Sequence, residues 1–215
     1  VRLRGSAGWL DGPMDPVVRV TGGLVRGSSR ELPTSEATPP DPISPYGVAK
    51  LAAERYCAAF TRVYEAFETV VLRYFNVYGP RQSPFSQYAA VIPLFIDAIA
   101  AGEPVTIYGD GEQSRDFTYV GNVVDATIRA ADAAGASGRT FNVAAGSPAS
   151  VNHLAETIGV ILGKPVERRL EPPRPGDIRD SWADISSARE LLGYEPRIDL
   201  AAGLELTAEA IVARV

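Results

Sequence analysis

The run Thr69-Val-Val-Leu-Arg-Tyr-Phe75 constrains the fold of this chain more than any other stretch. It is short, β-branched and apolar at consecutive positions, so it reads as a strand buried on both faces. Such strands belong to parallel sheets layered by helices. The residues before it supply a helix: Ser44 is a cap, Pro45 stands at the first helical position, and the pattern runs to about Phe67. Ala49, Ala53, Cys57, Phe60 and Tyr64 fall near one face of that helix. Further helices are expected at 90–101, stopped by Gly102, and at 121–134, 151–162, 186–192 and 201–214. Strands are expected at 17–20, 105–108, 117–120, 140–143 and 166–170. Alternation of this kind predicts an α/β fold, with part of a Rossmann-like parallel sheet and a smaller C-terminal α/β unit.

Composition excludes several functions. A chain of 215 residues that is 46% hydrophobic and 22% charged has the material for a packed core. Its net charge of −5 is a poor footprint for nucleic acid. No apolar run approaches the ~18 residues of a membrane span. One cysteine, Cys57, and one histidine, His153, are too few for a disulfide or a His-based metal site, so no metal is expected. Cys57 reads as a small core residue, and His153 as an exposed residue in the first turn of a helix capped by Ser150. The opening residues lack a secretory-type apolar stretch, which points to the cytoplasm.

Tyr46 and Lys50 are one turn apart on the first helix and share a face. A phenol ionises near pH 10, so it serves as a base at neutral pH only where a neighbouring cation favours the phenolate. Lys50 is placed to supply that charge. The same spacing also arises by chance in many helices. Arg115 and Arg174 each sit in a Gly- or Pro-bounded loop, GDGEQSR and RPGD, where ligand contacts concentrate. A guanidinium there can grip phosphate oxygens in pairs, and Asp177 can accept from ribose hydroxyls. Solvated structural charges are the alternative for these residues.

The segments SPYGVAKLAAE, LRYFNVYGPRQ, AVIPLFIDA, IYGDGEQSRDFTYV, RPGDIRDSWAD and LGYEPRIDLAAGL occur in this order between residues 44 and 204. Together they resemble the extended short-chain dehydrogenase/reductase family, and within it the NAD-dependent nucleotide-sugar 4-epimerases. The resemblance implies NAD as cofactor and a UDP-sugar as substrate. It implies Tyr46 as catalytic base, Lys50 as its partner and ribose contact, and Phe75 as a wall of the nicotinamide. Asn76, Arg115 and Arg174 become contacts to the substrate diphosphate, and Asp177 the acceptor for the uridine ribose. Val91 and Ile92 border the nucleotide, and Ile107 and Tyr108 flank the uracil. Ser181 falls where the family tunes room beside the second carbon of the sugar, so its small side chain would leave space for an N-acetyl group; a surface serine before Trp182 is the alternative. A dehydratase or decarboxylase of the same family, and a non-catalytic nucleotide-sugar-binding remnant, are the rival readings.

One part of the pattern is missing. The family opens with a strand and a glycine-rich turn that receives the cofactor pyrophosphate at a helix N-terminus. Gly5, Gly8 and Gly12 have suggestive spacing, but Pro13 and Pro16 forbid the helix that should follow. Thr21-Gly22-Gly23 lies too close to Tyr46 for the intervening elements. It occupies instead the place of the strand that delivers a catalytic Ser or Thr: Gly22 falls at or near the hydroxyl position, with Thr21 beside it as the candidate hydroxyl. The chain is therefore expected to divide into an atypical segment, 1–43, and the C-terminal part of an epimerase or dehydratase, 44–215. The family homodimer, built on the Tyr–Lys helix and the helix before it, is expected to be incomplete. That leaves an apolar strip exposed along Ala52, Tyr56 and Ala59.

Overall fold

A computed structural model of the chain describes residues 32–64, 67–82, 91–174 and 177–213, and the backbone of 17–22. Its centre is a parallel sheet of β1 (Val17–Gly22), β2 (Thr69–Tyr74) and β7 (Thr140–Val143), in the order β1-β2-β7. Val18 lies opposite Val70, and Leu72 opposite Phe141. Between β1 and β2 runs α1 (Pro45–Val63). Ser44 begins it by accepting a bond from Gly47 N at 3.1 Å, with Pro45 in the first turn. The helix stops at Val63, short of Phe67, and Tyr64 N closes it onto Phe60 O.

Two parallel strands joined by one helix require that helix to run back against the strand direction. The side-chain bonds follow that course. Thr61 meets Thr69 at the start of β2, at 2.7 Å, while Glu54, two turns earlier in α1, meets Arg73 near its end. The N-terminal turn of α1 therefore lies beyond the carboxyl ends of the strands.

Every residue from Thr69 to Arg73 is buried, which satisfies the reading of a strand covered on both faces. Thr69 and Arg73 face α1, where they bond Cys57 O and Glu54. Val70 and Leu72 pack on the opposite face with α3 (Val120–Asp132) and α5 (Ser186–Leu192), through Val123, Ala126, Ala130, Ala188 and Leu192. This is a three-layer arrangement.

A second core gathers α2 (Val91–Ala101), α4 (Val151–Leu162) and α6 (Leu200–Val212) around Ile92, Phe95, Ile96, Leu154, Ile158 and Leu204. The parallel pair β4 (Val105–Tyr108) and β9 (Arg168–Glu171) borders it. Short strands stitch the two cores. β3 (Val77–Tyr78) pairs with β6 (Thr118–Tyr119), and β5 (Ser114–Arg115) lies between β8 (Ala149–Ser150) and β10 (Asp180–Ser181). Gly203 lets α6 press against β3 and β6: a β-carbon there would strike the Tyr78 hydroxyl and stand 3.0 Å from the Tyr119 ring. Tyr78 in turn donates to Leu200 O at 3.2 Å.

Five of these strands, β3, β5, β6, β8 and β10, are two residues long, and all but β6 escape a periodicity argument, because alternation needs about four residues to show. The strand expected at 117–120 is confined to Thr118–Tyr119, because Val120 already belongs to α3. His153 is exposed and its backbone N–H is capped by Ser150, while Cys57 is buried. The strip at Ala52, Tyr56 and Ala59 is exposed.

The bond between α1 and the sheet gives a test. Arg73 and Glu54 form a two-point pair, Nε to Oε2 at 2.9 Å and NH2 to Oε1 at 2.6 Å, with both side chains 6% exposed. Glu54→Ala strands a buried guanidinium and is expected to destabilise the chain by about 3–5 kcal/mol in urea denaturation. Glu54→Met with Arg73→Met should recover most of that loss. A double variant no more stable than Glu54→Ala alone contradicts this account.

Candidate functional site

Two groups of side chains stand out. The first lies at the carboxyl end of the parallel sheet. Tyr46, in the first turn of α1, is 41% exposed, and Lys50 Nζ lies 5.2 Å from the centre of its ring. Thr21 is the next-to-last residue of β1, opposite Arg73, with Gly22 opposite Tyr74; only its backbone is described. Gly5, Gly8, Gly12 and Gly23 lie outside the described residues. Phe75 leaves β2 buried and donates its N–H to Val143 O at 3.1 Å. Asn76 follows with its side chain exposed, and its carbonyl accepts from Thr118 N at 3.0 Å.

The second group surrounds β5 and β10. Arg115 lies opposite Ser181, and its NH2 bonds Asp177 Oδ1 at 2.6 Å while NH1 reaches Ser114 O at 2.7 Å. The Arg174 guanidinium stacks on the Tyr108 ring at 3.8 Å. Gln113 Nε2 ties the intervening loop to Tyr108 O at 2.8 Å. The sequence thus names five residues here, Tyr108, Arg115, Arg174, Asp177 and Ser181, that the fold brings onto neighbouring segments. Thr118 links the groups: it bonds Asn76 and lies three residues, about 10 Å of extended chain, beyond Arg115.

The segments at 91–93 and 107–108 divide between surface and core. Ile92 and Ile107 have their side chains inside the second core, so their side chains offer no surface to a ligand in this structure. Their neighbours Val91 and Tyr108 are half-buried and hold the outward positions.

Sequence reasoning passed over Asp116. Its side chain is fully buried beside Arg115 and gathers three backbone N–H groups: Ala145 at 2.8 Å, Gly146 at 3.1 Å and Ala183 at 3.3 Å. One carboxylate so joins the loop after β7 to the chain leaving β10. The only sequence signal was its place between Arg115 and the buried Phe117. Glu54, Glu36 and Asn142 were passed over in the same way, because a charge or amide in a helix or strand gives no sign in sequence of the partner it will meet.

Burial lifts the Asp116 carboxyl above the usual carboxylate range, and its N–H donors oppose that shift only in part. At pH values between the unfolded value of ~3.9 and the raised native one, the native protein binds more of this proton than the unfolded chain does. Stability from this group is fully present below that value and is lost as pH rises through the raised native one. In denaturation from pH 4 to 7, the stability of the parent relative to Asp116→Asn should fall with rising pH and then level off. A difference that grows with pH contradicts the assignment.

A Tyr–Lys helix at the carboxyl end of a parallel sheet, with an arginine-lined lobe beside it, marks an α/β protein of the class whose sheets take ligands at the carboxyl ends of their strands. The comparisons make this specific. Residues 15–144 match the family model "NAD dependent epimerase/dehydratase family". The chain belongs to that family.

It is 40% identical over 209 residues to a UDP-glucose 4-epimerase of Mycolicibacterium smegmatis, covering 97% of this chain and 66% of that protein. A UDP-N-acetylglucosamine 4-epimerase from Methanobrevibacter ruminantium, solved with UDP-N-acetylmuramic acid, superposes with a TM-score of 0.89 at 38% identity. That match covers 94% of this chain and 64% of the other. A UDP-glucuronic acid 4-epimerase from Bacillus cereus, solved with UDP-glucuronic acid and NAD, gives a TM-score of 0.82 at 33% identity over 94% of this chain and 62% of its own. The chain thus spans about two thirds of the length of these relatives. Among the described residues no helix is long and apolar enough to cross a membrane, and no group of His, Cys, Asp or Glu side chains is arranged to hold a metal ion.

Proposed function

We propose that residues 44–215 carry the nucleotide-sugar-binding part of an NAD-dependent 4-epimerase, together with its proton-transfer residues, acting on UDP-hexoses. The observation that carries this reading is the arginine lobe. Arg115 with Asp177, and Arg174 with Tyr108, pair a cation with a carboxylate and a cation with an aromatic face on adjacent segments. A diphosphate needs the cations, a ribose the carboxylate and a uracil the flat wall. Asn76 stands across Thr118 as a further polar contact to the diphosphate. Val91, Ile92 and Ile107 support the walls, the two isoleucines from inside the core. Ser181, half-buried opposite Arg115, leaves the space that an N-acetyl group at the second carbon of the sugar would fill.

The residues fit one end of NAD. We assign the nicotinamide ribose to Tyr46 and Lys50 and the floor beneath the ring to Phe75, whose side chain lies in the first core, with Thr21 as the neighbouring hydroxyl. The described residues include no strand, glycine-rich turn and helix to hold the pyrophosphate. When bound, NAD supplies a reversible acceptor for the hydride of the inverting sugar carbon. The work of the chain itself is to take the proton of the sugar hydroxyl on Tyr46 Oη, to hold the Lys50 charge beside that phenol, and to hold the diphosphate while the sugar turns.

The reading is tested by binding. Arg174→Ala is expected to weaken UDP binding by about 1.5–3 kcal/mol in calorimetry, the scale of charge-assisted hydrogen bonds. Unchanged affinity in both Arg174→Ala and Arg115→Ala would remove the lobe from the site. A parent chain that binds no UDP favours the non-catalytic remnant.

Turnover is a separate matter. Losing several charge-assisted bonds to the pyrophosphate and adenosine ribose, at ~1.5–3 kcal/mol each, moves a micromolar cofactor affinity into the millimolar range or beyond. These 215 residues alone are therefore expected to show negligible UDP-glucose and UDP-galactose interconversion, even with excess NAD. A coupled assay that detects interconversion abolished by Tyr46→Phe overturns that expectation.

A further inference from the structure

The two charges at the centre of the nucleotide reading, Arg115 and Asp177, are closed on each other. Arg115 is the more covered partner, with 16% of its side chain exposed against 38% for Asp177. Its NH1 is engaged by two carbonyls, Ser114 O at 2.7 Å and Arg179 O at 3.2 Å, and its NH2 by Asp177 Oδ1 at 2.6 Å. A guanidinium has two faces that grip a phosphate at two points, Nε with NH2 and NH1 with NH2. Both use NH2, so an anion seeking a two-point grip competes with Asp177 for that nitrogen. Arg174 is placed differently. It is exposed on the Tyr108 ring, where an anion meets it without displacing a carboxylate.

The pair is not what holds the lobe together. Ser114 N donates to Arg179 O and Asp116 N to Ser181 O, both at 2.9 Å, and Ser114 Oγ donates to Asp180 Oδ1 at 2.5 Å. Asp116 adds its bond from Ala183 N. On such a frame a partly exposed ion pair contributes little to stability. Its consequence is for what binds. A bare anion that takes Arg115 leaves Asp177 without its cation and beside the incoming negative charge. A ligand with both a diphosphate and two neighbouring hydroxyls replaces each partner: its phosphates accept from Arg115, and its hydroxyls donate to Asp177. That exchange leaves no charge unpaired.

We propose that the Arg115–Asp177 pair is a specificity gate, which withholds Arg115 from inorganic phosphate and diphosphate and yields it to a ribonucleoside diphosphate. Asp177 is then a specificity-determining residue by exclusion as well as by contact. The gate rests on the nucleotide-sugar reading for its ligand and on the geometry of the pair for its action.

The test is titration calorimetry of pyrophosphate and of UDP on the parent chain, Asp177→Asn and Asp180→Asn. Asp180 lies opposite Ser114 in β10, so its substitution removes a negative charge from the same lobe and leaves the pair in place. In Asp177→Asn, pyrophosphate is expected to bind about three- to fivefold more tightly, the scale of an exposed ion pair. The preference for UDP over pyrophosphate should fall by about tenfold or more, as expected where a charge-assisted bond to the ribose is also lost. Asp180→Asn should stay within about twofold of the parent for both ligands. Circular dichroism checks folding, and Asp177→Ser carries the same expectation should Asp177→Asn unfold. Pyrophosphate affinity that is unchanged or weaker in the Asp177 variant overturns the gate. An equal gain in Asp180→Asn does so too, since it assigns the effect to charge alone, as does a lack of pyrophosphate binding in every variant. A parent chain that binds no UDP removes the proposed function, while the pyrophosphate comparison still decides the gate, so the two failures are distinct.

Discussion

The arrangement of this molecule depends on one buried ion pair, Arg73 with Glu54. Such a pair is a weak source of net stability, because removing two charges from water costs nearly what their attraction returns. Its contribution is position. Arg73 lies on the middle strand, with Thr21 across from it on one side and Asn142 on the other. A two-point bond to Glu54 fixes which turn of α1 rests over that spot. Tyr46 is eight residues earlier in the helix, about 12 Å along its axis, which carries it past the end of the strand. A slip of one turn would move the phenol by about 5 Å, and an apolar contact would resist that less sharply.

The same arginine reaches into the N-terminal segment. Its NH1 approaches Glu36 O at 3.4 Å, and the Glu36 carboxylate accepts from Asn142 N at 2.8 Å. Asn142 then donates to Thr34 O and Asp184 O. Asp184 is in the chain leaving β10, close to Asp116 through Ala183. A run of satisfied polar groups thus extends from the Tyr–Lys helix to the neighbourhood of β5, which carries Arg115. Each is buried or half-buried, so each bond lost leaves an orphaned partner, and the run holds together for that reason.

What the sequence made legible follows from this division of labour. The helices at 151–162 and 186–192 and the strand at 140–143 agree with the structure residue for residue, because their apolar spacing and caps are local facts. The end of α1 was overrun by four residues, since Tyr64 and Phe67 continue an apolar pattern after the backbone has left the helix. Among candidate site residues, Tyr46 and Lys50 were legible as a spacing, and Arg115, Arg174 and Asp177 as charges in loops. The bonds that place them were not, because Glu54 and Arg73 are nineteen residues apart and Asp116 and Ala183 sixty-seven. Ile92 and Ile107 show the converse: a motif names a segment, and only packing decides which of its side chains faces out.

The exposed surface carries the remaining argument. Globular chains scatter single apolar residues over their surfaces without consequence. Here the exposed ones align: three on α3 at successive turns, and aromatic ones on α1, on opposite faces of one sheet. Meanwhile the second core is closed around α2, α4 and α6, and its arginine lobe makes its own internal pairs. Tyr46, 41% exposed in the first turn of α1, stands at the carboxyl end of the sheet, where the position of α1 over Arg73 sets what it can reach.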